Sequence, residues 1–330
     1  MSEGDRPAEA TTSRVIPLRA RVRPRRSGVL LSAGEIARRL AALERQVEDA
    51  LGTERLGRGT ARLEAVLDDL LGAWVAGRAW LAEQAAGLSS SALGDASVAA
   101  LRRWWWRIDV VGRERMPAGP ALLIANRGSA LLPYEALMAA LTLGAECGPR
   151  YVRPFVDEWL ADLPLVGATL RGLGAERIGP ARVRRTLASG DTALVFPEGR
   201  DAVARPYAQA YRVSRFARTS VLRVALETGV PIVPIGLIGV DEVHPVLARL
   251  ALPRIASVLG IPALPVTPTL VPLPTKWTVF VGEPFDTAVR CAPNDLRDAA
   301  MVRALTTTLR ERLQGVVSDG LRRRRSIFFR

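Results

Sequence analysis

Three short groups of residues in this 330-residue chain have the types and spacing that chemistry needs. Phe196–Pro197–Glu198–Gly199–Arg200 closes an apolar run, Ala193–Phe196, that reads as a buried strand. A carboxylate at a strand end, followed by a glycine that lets backbone come close, can accept hydrogen bonds from a ligand hydroxyl. The alternative is a plain strand-ending turn. Asn126–Arg127–Gly128–Ser129 follows a second such run, Ala121–Ile124, and Glu135 stands shortly after it, behind Pro133. A desolvated carboxylate can take a proton, whereas the same acid at the start of a helix can simply complement the macrodipole. Gly174 and Arg177 form the third group. Arg177 is able to grip an anion by two parallel hydrogen bonds, or it is a solvated side chain. The one histidine, His244, sits beside Pro245 in a loop-like stretch where a surface or packing role is the ordinary one.

The elements that must position these groups alternate in type. Strand-like runs cover Ala121–Ile124, Ala193–Phe196, Pro231–Leu237 and Trp277–Val281, rich in aliphatic and β-branched residues. Helical patterns cover Tyr134–Thr142, Pro180–Ala188 and Ser220–Thr228 between them, and Asp295–Val317 after them, with Leu296, Val302, Leu305, Leu309 and Leu313 on one stripe. This order predicts an α/β fold: a layered, mostly parallel sheet covered on both faces, with an N-terminal helical extension. The extension opens with the capping box Ser32-x-x-Glu35, and its two stripes are Ile36, Leu40, Leu43, Val47, Leu51 and then Leu63, Val66, Leu67, Leu70, Leu71, Trp74. Such a hairpin packs either on the main domain or on a partner surface. The expected organisation is a disordered basic tail over 1–31, the helical hairpin over 32–95, the α/β domain over 96–320 and a basic C-terminal tail over 321–330. The apolar stretches Phe155–Leu160 and Leu163–Leu170 read either as the wall of a groove or as core.

Charge points to partners. The net charge is +13, and only one of the 46 basic residues, Lys276, is a lysine. Arginines crowd into both tails, leaving the body nearer neutral, and basic tails on such a body suit an anionic membrane surface. Nucleic acid is the poorer fit, because its binders concentrate charge on a folded face beside aromatics or a reading helix. Trp104, Trp105 and Trp106, flanked by Arg102, Arg103 and Arg107, resemble an interfacial anchor. The other reading divides them between core and surface, since three consecutive residues cannot share a helical face. No run of about 18 apolar residues occurs, and the N-terminus lacks a signal-peptide pattern. The two cysteines, Cys147 and Cys291, have no metal spacing, so no metal is expected and a reducing compartment is. The expected location is cytoplasmic, at the inner face of the membrane.

Taken in order, four blocks resemble the glycerolipid acyltransferase superfamily, the group containing lysophosphatidate acyltransferases, and within it the monoacylglycerol and diacylglycerol acyltransferase branch. They are Gly119 to Asn126, Gly174–Ala175–Glu176–Arg177, Phe196 to Arg200, and Pro231–Ile232–Val233–Pro234–Ile235. Leu273–Pro274–Thr275–Lys276–Trp277 and Gly282–Glu283–Pro284 resemble the closing strand of the same branch, so the likeness covers roughly residues 100–325. The resemblance implies transfer of a fatty acyl group from a thioester, acyl-CoA or acyl carrier protein, to a lipid hydroxyl, with no bound cofactor. It implies substrate contacts at Asn126, Gly174, Arg177, Phe196, Pro197, Glu198, Gly199 and Arg200.

Two positions depart from the family pattern. The family's base is the histidine of a His-x4-Asp motif, and here Arg127 stands in the histidine slot and Leu132 in the aspartate slot. A hydroxyl needs a base to become a nucleophile near neutral pH, and arginine stays protonated, so Arg127 is not expected to serve. Glu135 is the nearest acid. Two functions stay open: an acyltransferase that works by another base, or an inactive acyltransferase fold that binds lipid or acyl carrier or regulates a partner. The oligomeric state is not legible in the chain.

Overall fold

The structure, a computed structural model, describes residues 99–129, 132–148, 151–162, 164–250, 261, 263–269, 271–287 and 299–328. The expected tail over 1–31 and hairpin over 32–95 lie outside them, as does Cys291.

Nine strands and six α-helices are described. In chain order they are β1 (Asp109–Val111), β2 (Leu122–Ala125), α1 (Tyr134–Glu146), β3 (Val152–Val156), α2 (Glu158–Asp162), α3 (Pro164–Gly172), β4 (Glu176–Arg177), α4 (Pro180–Ala188), β5 (Thr192–Val195), α5 (Thr219–Thr228), β6 (Ile232–Ile238), β7 (Ala248–Leu250), β8 (Leu264–Val266), β9 (Thr278–Val281) and α6 (Ala299–Arg323). Seven strands form one sheet in the order β1-β9-β6-β2-β5-β3-β4, while β7 and β8 form a separate ribbon. Every neighbouring pair in the large sheet is parallel except β6 with β9. Every residue of β2, β5 and β6 is buried, which explains their unbroken aliphatic sequences: a strand covered on both faces has no polar side to alternate with.

This topology brings the carboxyl ends of β2, β3, β5 and β6 to one edge, the usual ligand edge of an open α/β sheet. Because β9 runs against β6, Thr278 pairs with Ile238, and the start of β1, Asp109, pairs with Thr278. The chain just before β9 therefore reaches that edge too.

The expected strands and helices form near their expected bounds, with two differences. Strands β1, β3, β4, β7 and β8 are additional; Arg153–Pro154 interrupts the apolar pattern of β3, and the other four are very short. Phe155 and Leu160 are core residues, 1% and 0% exposed. Helix α6 runs to Arg323 instead of ending at Val317. Leu321 packs against the core, and Arg322 and Arg323 complement the negative end of the helix dipole. The C-terminal basic segment is also partly held. Arg324 pairs with Glu242, and the Ile327 carbonyl accepts a hydrogen bond from the Lys276 amide at 2.8 Å.

Candidate functional site

Two strand ends and the loops after them make the centre of the site. Asn126, just past β2, is tied to β6: its side-chain amide donates to the Leu237 carbonyl at 3.0 Å, and its carbonyl oxygen accepts from the Leu237 amide at 2.7 Å. It continues the sheet by one rung. Glu198, past β5, is fully buried. Its Oε1 accepts the Arg127 amide at 2.9 Å, and its Oε2 accepts the Ser214 amide at 2.6 Å and Arg205 Nη1 at 3.1 Å. Burial raises its pKa, with Arg205 and the two amides acting in the opposite direction.

Gly199 holds φ at +65°, a left-handed turn that a side chain would strain. That turn starts the short 3-10 helix Gly199–Ala202 and leads the chain back toward the site at Arg205. Arg205 Nη2 donates to the Arg127 carbonyl at 2.6 Å and faces both oxygens of Asp241 at 3.3 Å. Asp241, two residues past the glycine that follows β6, also accepts the Ser129 and Tyr211 amides at 2.9 and 2.7 Å. Burial works against the Arg205 charge, yet Asp241 and Glu198 hold its pKa above the usual value.

Arg127 faces a second set of acids. Its Nη1 donates to Asp157 Oδ2 at 2.6 Å, its Nε lies 3.8 Å from Glu135, and its guanidinium sits 5.8 Å from the centre of the Trp159 ring. Asp157, at the end of β3, is held from its other oxygen by Arg218 Nη2 at 3.1 Å, and Arg218 also reaches Glu158 at 3.0 Å. Arg127, Glu135 and Asp157 are each at least 96% buried. Burial lifts the Glu135 carboxyl to about 7, against the pull of Arg127. Arg127 Nε and Nη2, Trp159 Nε1 and Arg218 Nε are buried without a hydrogen-bond partner among the described residues. The cluster is thus rich in donors, and it holds one carboxyl, that of Glu135, pushed up to about 7.

The structure brings together Asn126, Arg127, Glu135, Pro197, Glu198 and Gly199. Pro197 contributes its carbonyl, which accepts the Ala217 and Arg218 amides at 2.8 and 3.1 Å, while Phe196 is core. Other expected residues stand apart. Gly174 turns the chain after α3 at φ +83°, where a Cβ would meet the Tyr151 hydroxyl at 1.9 Å. Arg177 is exposed at the end of β4, 3.4 Å from Asp162, and Arg200 is exposed. Leu132, in the aspartate slot, is 37% exposed. His244 does not enter the cluster: its ring stacks on Tyr134 at 5.8 Å and its Nδ1–H donates to the Thr269 carbonyl at 3.2 Å. Burial lowers its pKa.

The tryptophans divide. Trp106 is fully buried, stacked on Trp277 at 4.8 Å, and donates to the Leu273 carbonyl at 3.1 Å. It is therefore unavailable to a membrane surface, contrary to the expectation for all three, because the turn after Trp105 directs its ring inward. Trp104 and Trp105 remain outside, 74% and 37% exposed.

Asp157, Arg205, Arg218 and Asp241 belong to the site and were not singled out from sequence. Asp241 carried a usable signal, an acid just past an apolar strand, the same signal that marked Glu198, whereas Asp157 follows β3, whose pattern Arg153 and Pro154 break. Arg205 and Arg218 carried none, being two arginines among many.

Residues 107–238 match the model of the Acyltransferase family. A protein of Mycobacterium leprae (strain TN), described as uncharacterised, is 36% identical over 235 residues, which cover 68% of this chain and 63% of that protein. The chain thus spans less than two thirds of that relative's length. A Gallus gallus protein, "DGAT1/2-independent enzyme synthesizing storage lipids", is 26% identical over 209 residues, covering 62% of this chain and 60% of that one. Among solved structures, the 1-acyl-sn-glycerophosphate (LPA) acyltransferase PlsC of Thermotoga maritima superposes with a TM-score of 0.45 at 18% identity, covering 88% of this chain and 99% of that one. With its site assembled at the carboxyl edge of a mostly parallel sheet, the α/β domain of this chain is similar to the acyltransferases over the stretch 107–238 that their family model matches.

Proposed function

We propose that this chain is a peripheral membrane protein that binds glycerolipid or acyl thioester on an acyltransferase fold and does not transfer the acyl group by the family's histidine route. One observation carries the reading: the slot of the base holds Arg127, buried and paired to Asp157 at 2.6 Å. A guanidinium cannot accept a proton. Its remaining N–H groups can instead meet a carbonyl or ester oxygen, which is binding chemistry. The donor carriers considered are acyl-CoA and acyl carrier protein. Basic segments and exposed indoles favour contact with a lipid surface, and no described helix is long and apolar enough to cross a membrane.

The test uses the purified full chain, a labelled long-chain acyl-CoA or acyl carrier protein, and a panel of lyso- and neutral lipids. Retention of lipid with no acylated product is the expected result. Thioester consumption that depends on an acceptor overturns it.

A second reading rests on Glu135, whose carboxyl titrates at about 7 beside Arg127. A base poised there can take the hydroxyl proton as the oxygen attacks the thioester carbonyl carbon and the C–S bond breaks to release the thiol. This reading requires transfer that fails in Glu135→Gln.

A further inference from the structure

Where the Trp104–Trp105 segment meets the chain before β9, an open pocket of about 460 Å³ is lined by Arg102, Arg103, Arg107 and Lys276, with Asp109 and Glu146. Its size lies within the roughly 300–1,000 Å³ of ordinary ligand pockets. Four cations face two acids, and the pairing is unequal. Lys276 meets Asp109 at 2.8 Å, and Arg102 lies 3.6 Å from Glu146. Arg107 has no carboxylate partner among the described residues. Its guanidinium is held by four carbonyls, those of Trp104 at 3.3 Å, Trp105 at 3.0 Å, Pro274 at 2.9 Å and Phe328 at 2.9 Å. Neutral carbonyls fix its position and leave its charge uncompensated. Arg103 is exposed and has no ion-pair partner among the described residues. Two positive charges are left over in one pocket.

Arg107 also has φ of 44°, a left-handed conformation that a non-glycine residue keeps only when its surroundings impose it. The same residue is held at its side chain by the four carbonyls. Trp104 and Trp105, 74% and 37% exposed, lie in the chain between the lining residues Arg103 and Arg107. The Trp105 indole N–H donates to the Pro272 carbonyl at 3.1 Å, next in sequence to the exposed Val271. Phe328, whose carbonyl holds Arg107, is 43% exposed. Indole rings beside surplus positive charge match the level of a bilayer where phosphates and the first acyl carbons meet.

We infer that this pocket receives the phosphate of an anionic phospholipid headgroup while the exposed aromatics enter the interface around it. The inference rests on the peripheral-membrane part of the proposed function and gives it a defined lipid class and site, separate from the Glu198 cluster.

The full chain is tested by co-sedimentation with vesicles of phosphatidylcholine alone and of phosphatidylcholine mixed with phosphatidylglycerol, following tryptophan emission. Binding is expected to favour the anionic vesicles, with a blue shift. Arg103→Glu is expected to weaken that binding on the order of tenfold, from loss of one favourable charge and gain of an unfavourable one. Arg223→Glu, the same change of net charge at an exposed position of α5, is expected to cost about twofold at most. Equal losses in the two variants overturn the site and leave the basic segments as a diffuse attractor. Equal affinity for neutral and anionic vesicles overturns the headgroup assignment while membrane contact survives. No binding to either vesicle overturns both. Binding of a single-stranded oligonucleotide that falls with Arg103→Glu, without vesicle binding, assigns the pocket to nucleic acid and likewise overturns it.

Discussion

The Glu198 cluster and the Arg103 pocket use the same side chain in opposite ways. In the cluster, Arg127, Arg205 and Arg218 each face carboxylates, and the acids Asp157, Glu198 and Asp241 are each held by at least two donors. In the pocket, Asp109 and Glu146 pair with Lys276 and Arg102, and Arg103 and Arg107 have no carboxylate partner among the described residues. A charge neutralised inside the protein works mainly for the architecture, because removing it strands its partner in a low dielectric. A charge left over at the surface costs little to keep and is free to meet something else. This contrast is why the chemistry of the cluster reads as binding and positioning, and why ligand attraction is assigned to the pocket.

The contrast can be broken by experiment. The largest effect is expected from Arg205→Ala, which leaves Glu198 and Asp241 buried without their shared cation. Urea denaturation should show a loss of about 3–5 kcal/mol, the usual result of removing one partner from a buried ion pair. A loss no greater than that of an ordinary surface variant would mean that the cluster is not structural.

Next comes the pH dependence from Glu135. Its carboxyl titrates at about 7 in the folded chain against an ordinary 4.5. A raised carboxyl pKa means the unfolded chain ionises first, so the group takes nothing from stability below the ordinary value. It lowers stability as pH rises between the two values, and levels off above the higher one. The loss at the plateau is about 3 kcal/mol. Glu135→Gln should abolish that part of the decline and exceed the parent chain in stability above neutral pH. An unchanged slope would place the titrating group elsewhere.

The smallest effect is expected from Arg103→Ala. Within about 0.5 kcal/mol the fold should not notice it, as for surface substitutions away from structural features. A larger loss by the same denaturation measurement would show that Arg103 has a structural partner, and would erase the difference between the two regions.

Much of the scaffold was legible from residue order. Aliphatic runs such as Leu122–Ala125, Thr192–Val195 and Ile232–Ile238 are read locally, since a strand buried on both faces needs nothing but apolar residues. The acids closing such runs were legible in principle for the same reason, and Glu198 was found that way. Strand β3 was not, because Arg153 and Pro154 break its pattern. Trp106 was not separated from Trp104 and Trp105, because three adjacent indoles look alike until the chain turns.

The chain's own order thus determined the α/β alternation, the family-like blocks and an arginine, Arg127, at the position where the resemblance implies an imidazole. Only the tertiary structure decided which arginines are neutralised. Arg205 meets Asp241 across 36 positions, and Arg127 meets Asp157 across 30. Hydrophobic periodicity is written in neighbouring residues, whereas the field felt by a charge depends on burial and on partners that folding brings near. One letter therefore serves both for a guanidinium locked in the interior and for one left open to a ligand.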